Sequence, residues 1–458
     1  STLLWQGKLD RAQKTLAYID DPDFAQMGMT RIRLQRGDSR ALASVAQCTA
    51  NAAQDNGLVF DLARYYRQRG DDASAIRALG RRRAAMDPYD DLWWRERSLL
   101  ARRALENGNY QGAYNLVKAH GHDGGTELAE AEWLAGWLAV TRLKQPSAAF
   151  HHFERMYRNV KTPISIARAA YWAGIAAEQM RDKTLARQYY SYAAQHMNTF
   201  YGQLGAYALG NPKASFAAFF RRDRPSRSFS SGALPQDLIG AARILKTMNR
   251  PGERDMFLRT ALRVATARGQ AQNLIQVARE LGSTPIALSA AKAAYDKGVL
   301  VSDGLFPRAA VPANRNVEAA LTLGIIRQES LFDPMAVSRA DARGLMQLLP
   351  GTARQVARQA GIPYTSDYSL FQPNTNMVLG QEYLARMQAR YDNFVPLVAA
   401  SYNAGPGNVD KWLRSMGDPR KDPYSWVDWV ERIPFYETRN YVQRVWEAYS
   451  VYQYMQER

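Results

Sequence analysis

The chain has 458 residues, 46% hydrophobic and 22% charged, and a formal net charge of +17. That length predicts two or three domains with more than one core, in an ordinary globular composition. No apolar run reaches the roughly 18 residues of a membrane span: AEWLAGWLAV is among the longest and contains Glu132. The single Cys48 excludes an internal disulfide and leaves the compartment open.

The chain begins at Ser1-Thr2, without a Met and without a basic-then-apolar leader. A processed or trimmed start is expected there, any export signal having been removed. Charge is unevenly spread: residues 1–300 carry +16 of it and residues 301–458 carry +1. The split suggests that the first part docks on a polyanion, whether nucleic acid, anionic lipid or a carboxylate-rich wall polymer. A solvated surface kept soluble by charge is the plainer alternative.

Over the first 220 residues a small or polar residue is followed five positions later by a small or apolar one that opens an amphipathic run. The instances are Gly7 and Ala12, Gly37 and Leu42, Gly70 and Ala75, Gly108 and Ala113, Lys144 and Ala149, Arg181 and Ala186. The second members recur at 30, 33, 38, 36 and 37 residues, the period of an α-solenoid of helix pairs of the tetratricopeptide kind. Trp133, Trp137, Tyr171 and Trp172 recur at helical spacing and are expected to pack between repeats. The five histidines fall at 120, 122, 151, 152 and 196. His120-Gly121-His122 has no cysteine partner and sits in a loop-like GHDGG, so no metal site is expected.

RRDRPSRSFSSGALP, residues 221–235, reads as a linker. Helical spacing returns at 236–299, and VSDGLFPRAAVPANRN, residues 301–316, is a second break. Beyond it the spacing is again helical, and no long alternating strand pattern appears anywhere. The expected fold class is all-α.

Val317, Leu321 and Ile325 fall on one helical stripe, and the next position on it is Glu329. Arg327 projects to roughly the opposite side and is a poor local partner. Pro334 disfavours helical geometry at Asp333, so the helix is expected to end near Phe332 with Glu329 in its final turn. Partial desolvation and the negative end of the helix dipole both raise a carboxyl's pKa. A glutamic acid still protonated near neutrality is what general acid catalysis requires. A helix-end Glu that reaches round to solvent is the equal alternative from this helix alone.

Three further segments put polar and aromatic groups at helix ends. GLMQLLPGTA (344–353) sets Gln347 before Pro350-Gly351, and AASYNAGPGNV (399–409) leaves Tyr402 and Asn403 before Gly405-Pro406. IPFYETRNYVQRV (433–445) places Glu437 and Arg439 at the start of a helix that continues through Tyr441. Glu, Gln, Tyr and Asn with several rings form a typical lining for a sugar polymer.

In this order, Glu329-Ser330, Gly344-Leu345-Met346-Gln347, Ala400 to Gly405 and Ile433 to Val442 closely resemble the motifs of the soluble lytic transglycosylases. These are goose-lysozyme-like enzymes of bacterial cell-wall turnover. The segments AEWLAGWLAV, HHFERMY, TPISIARAAYWAG and FYGQLGAYAL resemble that family's helical superhelix, so the likeness covers most of the chain. It implies a superhelical arch or ring over 1–233, a helical linker domain over 234–303 and a lysozyme-like catalytic domain over 304–458. It implies Glu329 as the sole acid/base. Ser338, Met346, Gln347, Tyr402, Asn403 and Tyr441 would bind substrate, with Glu437 supporting the site. Two departures stand out: Asp341 occupies a position where the family usually has glycine, which suggests a differently shaped loop with an added carboxylate. Leu349 stands where Met is common, a volume-conserving change expected to be tolerated.

The implied reaction is non-hydrolytic cleavage of the β-1,4 bond between N-acetylmuramic acid and N-acetylglucosamine, giving 1,6-anhydromuramyl ends without a cofactor. The implied setting is the periplasm, free or associated with the outer membrane. The implied state is a monomer acting on glycan strands, with other cell-wall enzymes as possible partners. A hydrolytic lysozyme on the same fold and a catalytically inactive helical-repeat scaffold are the alternatives. A nucleic-acid binder is motivated only by charge and lacks a base-reading module.

Overall fold

The computed structural model describes residues 1–82, 89–222, 233–266, 268–421 and 425–457. Most of the linker expected at 221–235 lies outside the described residues. Among those described there is no strand, only isolated antiparallel bridges of Val337 with Arg343 and Arg343 with Leu348. The fold is all-α, as the spacing predicts. None of the described helices is long and apolar enough to cross a membrane. The chain divides into two compact units, Ser1–Lys161 with Trp172–Ala186, and Thr162–Tyr171 with Arg187–Arg458.

The first unit is built of helix pairs such as Asn56–Gln68 with Asp72–Leu79 and Asp90–Glu106 with Tyr110–Lys118. All six residues that mark the sequence repeat are left-handed: Gly7, Gly37, Gly70, Gly108, Lys144 and Arg181, with φ between 56° and 81°. This is the conformation that ends one helix and turns the chain into the next, and glycine enters it without steric cost. Asp71 and Asn109 then cap the following helix, their side chains accepting from the backbone N–H of Ser74 and Gly112. Five residues after the turn, Ala12, Ala75, Ala113, Ala149 and Ala186 are buried.

One repeat departs from the expected register. Leu42 is 40% exposed, and its neighbour Ala41 is fully buried instead. The other second helices begin two residues after the left-handed turn, but here three residues, Asp38 to Arg40, intervene and the helix begins at Ala41. That shifts the inward face by one position.

Trp133, Trp137 and Trp172 are buried within this unit, Trp133 stacking on Trp137 at 5.9 Å and Phe153 on Trp172 at 6.1 Å. Two of the histidines serve a buried carboxylate. His120 Nε2 lies 3.0 Å from Glu132 Oε1, His152 Nδ1 lies 2.5 Å from Oε2, and Arg155 Nη1 lies 2.8 Å from Oε1. Burial alone pushes the Glu132 carboxyl up, and the two imidazole hydrogen bonds outweigh it and hold the group at about 2.

In the second unit the same left-handed turns recur at Gly210, Asn249 and Gly282. One apolar core runs from Met197 and Phe216 through Leu258 and Leu274 to Ile325, Val398, Val445 and Tyr452. Tyr171 is buried here. Two buried carboxylates fasten the last repeat helices to the end of the chain. Glu431 accepts from the Tyr201 hydroxyl, from Arg168 at 2.6 Å and from Gln443 at 3.0 Å. Glu447 accepts from the backbone N–H of Phe200 at 2.6 Å and pairs with Arg444 at 2.7 Å. Removing one member of such a buried set costs about 3–5 kcal/mol, because it strands the other charge.

Candidate active site

The helix Ala319–Glu329 lies along the C-terminal helix Tyr436–Gln456. Leu321 and Ile325 are buried on its inward stripe, and Glu329 stands half-buried at the end of the same line. Val317 is buried too, although it precedes the helix. The helix ends at Glu329, not near Phe332 as expected. Leu331 and Phe332 are left-handed, with φ of 52° and 67°, and Ser330 Oγ turns back to the Ile326 carbonyl at 3.2 Å. Leaving the helix early lets Phe332 enter the core with Leu331 packed against it. That contact sustains two consecutive non-glycine residues in a sparsely populated region.

The Tyr441 hydroxyl, on the C-terminal helix, donates to Glu329 Oε1 at 2.7 Å. Burial pushes the Glu329 carboxyl up to about 7; the Tyr441 bond pulls it down and the charge of Glu437 pushes it up again. Arg327 gives Glu329 no relief: its Nε donates to the Leu305 carbonyl at 2.9 Å and its guanidinium lies over the Phe306 ring. Tyr402 and Tyr441 are held well above the ordinary phenol range, chiefly by burial, so both remain neutral donors.

The Tyr402 hydroxyl donates to the Met346 carbonyl at 2.7 Å. Met346 corrects the sequence reading: its side chain is fully buried in the core and cannot line a groove, and only its backbone faces Tyr402. Gln347 is left-handed, and its NH2 group donates to the carbonyls of Ala336 at 3.0 Å and Gly344 at 2.9 Å. Gly344 has φ 75°, and a Cβ there would lie 2.0 Å from the Leu370 carbonyl oxygen, so no other residue fits.

Ser338 is exposed, and its Oγ accepts from the backbone N–H of Ala340 and Ala342 at 3.2 and 3.0 Å. It shapes the loop. Asp341, at the glycine position, has φ 65°, which aspartate tolerates better than most residues. Its carboxylate is paired with Arg343 Nε at 2.9 Å. Leu349 is exposed just before the helix Pro350–Ala360. Asn403 Oδ1 accepts from Thr438 Oγ1 at 2.7 Å, tying the Val395–Ala404 helix end to the turn that carries Glu437. Glu437 itself is exposed and acts on Glu329 through its field.

Sequence reasoning misses Asn376. Fully buried on the helix Pro373–Arg390, it accepts from the Met346 N–H at 2.7 Å and donates to the carbonyls of Arg343 and Leu370 at 2.9 Å each. Two of its side-chain bonds fix the segment bearing Met346 and Gln347, and the third ties that segment to the turn Asp367–Phe371. The missed signal is the one that marks Glu329, a polar residue on the apolar stripe Asn376, Gly380, Leu384.

Neutral tyrosine hydroxyls beside a carboxyl poised near neutrality form a site that can deliver and recover a proton at a bound substrate. Comparison with known proteins points to the same place. Residues 309–425 match the family model of the transglycosylase SLT domain. A putative soluble lytic murein transglycosylase of Haemophilus influenzae is 46% identical over 140 residues, covering 30% of this chain and 23% of that protein. The soluble lytic murein transglycosylase of Escherichia coli is 37% identical over 156 residues, covering 34% of this chain and 23% of that protein. The chain thus spans under a quarter of the length of either curated relative. Among solved structures, the lytic transglycosylase Slt of Pseudomonas aeruginosa superposes on 99% of this chain and 71% of its own, with a TM-score of 0.66 at 23% identity. The 70-kDa soluble lytic transglycosylase of Escherichia coli matches to the same coverage and TM-score at 20% identity, a likeness of fold. Residues 309–425 thus match the transglycosylase SLT domain, on a chain whose fold is like that of the Slt-type lytic transglycosylases.

Proposed function

We propose that this chain is a peptidoglycan lytic transglycosylase in which Glu329 acts first as acid and then as base. The observation that carries the reading is the Glu329 carboxyl, raised to about 7 by burial and bonded to Tyr441 through Oε1. A group with that pKa is present in both protonation states near neutrality, which suits a residue that must give a proton and take one back. With Oε1 engaged by Tyr441, Oε2 is the oxygen that carries the proton.

In this mechanism Glu329 protonates the glycosidic oxygen as the bond to the muramyl C1 breaks. The substrate's own acetamido oxygen closes on C1, so a second protein carboxylate is unnecessary. Glu329 then takes the proton from the muramyl 6-hydroxyl as that oxygen attacks C1 and displaces the acetamido oxygen, restoring the N-acetyl group and leaving a 1,6-anhydro end and a protonated Glu329. Gln347, Tyr402 and Asn403 edge the groove; Ser338 and Asp341 set the loop beside it. Residues 304–458 carry the chemistry, and the basic residues 1–300 hold the anionic strand by a sequence-tolerant electrostatic grip. The substrate places the activity in the periplasm, with the chain working as a monomer.

Mass spectrometry of digested wall material tests the reaction. Anhydromuramyl ends support it; reducing ends assign the chain to hydrolysis. Wall digestion that survives Glu329→Gln overturns the assignment of the acid.

A further inference from the structure

A cavity of about 590 Å³ opens on the outer side of the helix Pro350–Ala360, and its polar lining is Arg354, Arg358, Tyr364, Thr365, Ser366 and Asp367. Arg354 and Arg358 are one turn apart and share a face. Arg354 Nη1 is paired with Asp367 Oδ1 at 2.6 Å, and the Tyr364 hydroxyl donates to the same oxygen at 3.0 Å. That leaves Arg358 as a cation without an acidic partner among the described residues, lining the same cavity as Thr365 and Ser366. The lining thus holds a surplus positive charge and several hydroxyls, and its apolar members are Ala357 and Ile362.

The cavity adjoins the Glu329 groove. Tyr364 and Ile362 pack on the small cluster of Leu348, Ala353, Val356, Ala357, Leu370 and Leu379, and Tyr402 packs on the same cluster. Leu348 directly follows Gln347. The two sites therefore share one small apolar cluster. A guanidinium with neighbouring hydroxyls matches a planar carboxylate in both charge and hydrogen-bond geometry. With only Tyr364 to offer a ring, the lining is a poor platform for a pyranose.

We propose that this cavity is a carboxylate subsite that receives the acidic side peptide of a glycan strand lying in the Glu329 groove, with Arg358 as its principal contact. The proposal rests on the glycan reading of that groove. It adds a preference for peptide-bearing over peptide-stripped strands, set by one exposed arginine.

The test is a binding comparison in the Glu329→Gln chain, which holds substrate without consuming it. Peptide-bearing strands and strands freed of peptide by an amidase are titrated against that chain. The same titrations are run with Arg358→Ala and with Arg358→Lys added. The expected result is a preference of about 3- to 10-fold for peptide-bearing strands, the size of one partly exposed charge-assisted contact. Arg358→Ala removes the preference and Arg358→Lys keeps most of it, and the preference shrinks as salt rises. No preference, or one indifferent to Arg358→Ala, overturns the subsite. Equal weakening on both kinds of strand also overturns it, because that is the signature of a general grip on any polyanion. Cleavage by the unmodified chain is followed in parallel. If neither strand yields anhydro ends, the reaction assigned to Glu329 falls, while the binding ratios still decide the subsite.

Discussion

Replacing Glu329 by Gln should make the protein more stable at alkaline pH while abolishing wall digestion. A carboxyl whose folded pKa lies near 7 binds its proton more tightly in the native state than in the unfolded chain, where the value is 4.5. The stability this confers is fully present below pH 4.5 and is lost as pH rises through about 7. At roughly 1.4 kcal/mol per pH unit, that rise corresponds to about 3 kcal/mol. Glu329 keeps partial contact with the groove, and solvent screening there reduces the expected effect to about 2 kcal/mol. Glutamine has the same shape and cannot ionise, so its contribution is flat with pH. Urea unfolding of both chains between pH 4 and pH 9, followed by tryptophan fluorescence, measures the difference at each pH. Subtracting one chain from the other cancels every group they share. The advantage of the Gln variant should grow between pH 5 and pH 7.5 and then level off. A gap that stays constant with pH, or that favours Glu at pH 8, refutes the raised pKa and with it the proton donor.

Two further variants probe the groups around that acid. Tyr441→Phe deletes a hydrogen bond that lowers the Glu329 pKa; at about 1.5–3 kcal/mol for a bond to a charged group, the alkaline limb of the pH–rate profile should move up by about one to two pH units. An unmoved limb would dissociate Tyr441 from the titration. Asn376→Ala strands the Met346 N–H and two carbonyls, and should cost about 2–4 kcal/mol in thermal unfolding and lower kcat by loosening the Gln347 segment, leaving the pH profile in place.

The repeat was legible because its turns need a left-handed residue, and glycine supplies one most cheaply. Gly7, Gly70 and Gly108 announce themselves, and spacing then carries the pattern to Lys144 and Arg181, whose identity alone says nothing. Glu329 and Asn376 obey one rule, a polar residue on an apolar stripe, yet only Glu329 stands close enough to a helix-stopping proline to draw notice. Met346 was misassigned because a motif names a residue without saying which of its atoms is used. Its carbonyl meets Tyr402 and its N–H meets the buried Asn376, while its side chain fills the core beside Gly380. The end of the Glu329 helix was misplaced because Pro334 constrains only its own predecessor. Burial of Phe332 acts three residues earlier, through tertiary contact that no local pattern records.

The same packing explains how a destabilising acid is retained. Ionised Glu329 opposes folding, and left-handed Leu331 and Phe332 add a strain of about 1–2 kcal/mol each. What offsets them lies one layer deeper, in the continuous core beneath the helix and in the Glu431 and Glu447 anchors that hold the C-terminal helix under Tyr441. Polar groups in this molecule therefore fall into two classes with opposite responses. Neutralising a residue that works on substrate should raise stability and destroy activity. Removing one that holds the groove, as Asn376 does, should lower both. Stability measured beside activity, residue by residue, separates the catalytic acid from the frame that strains it.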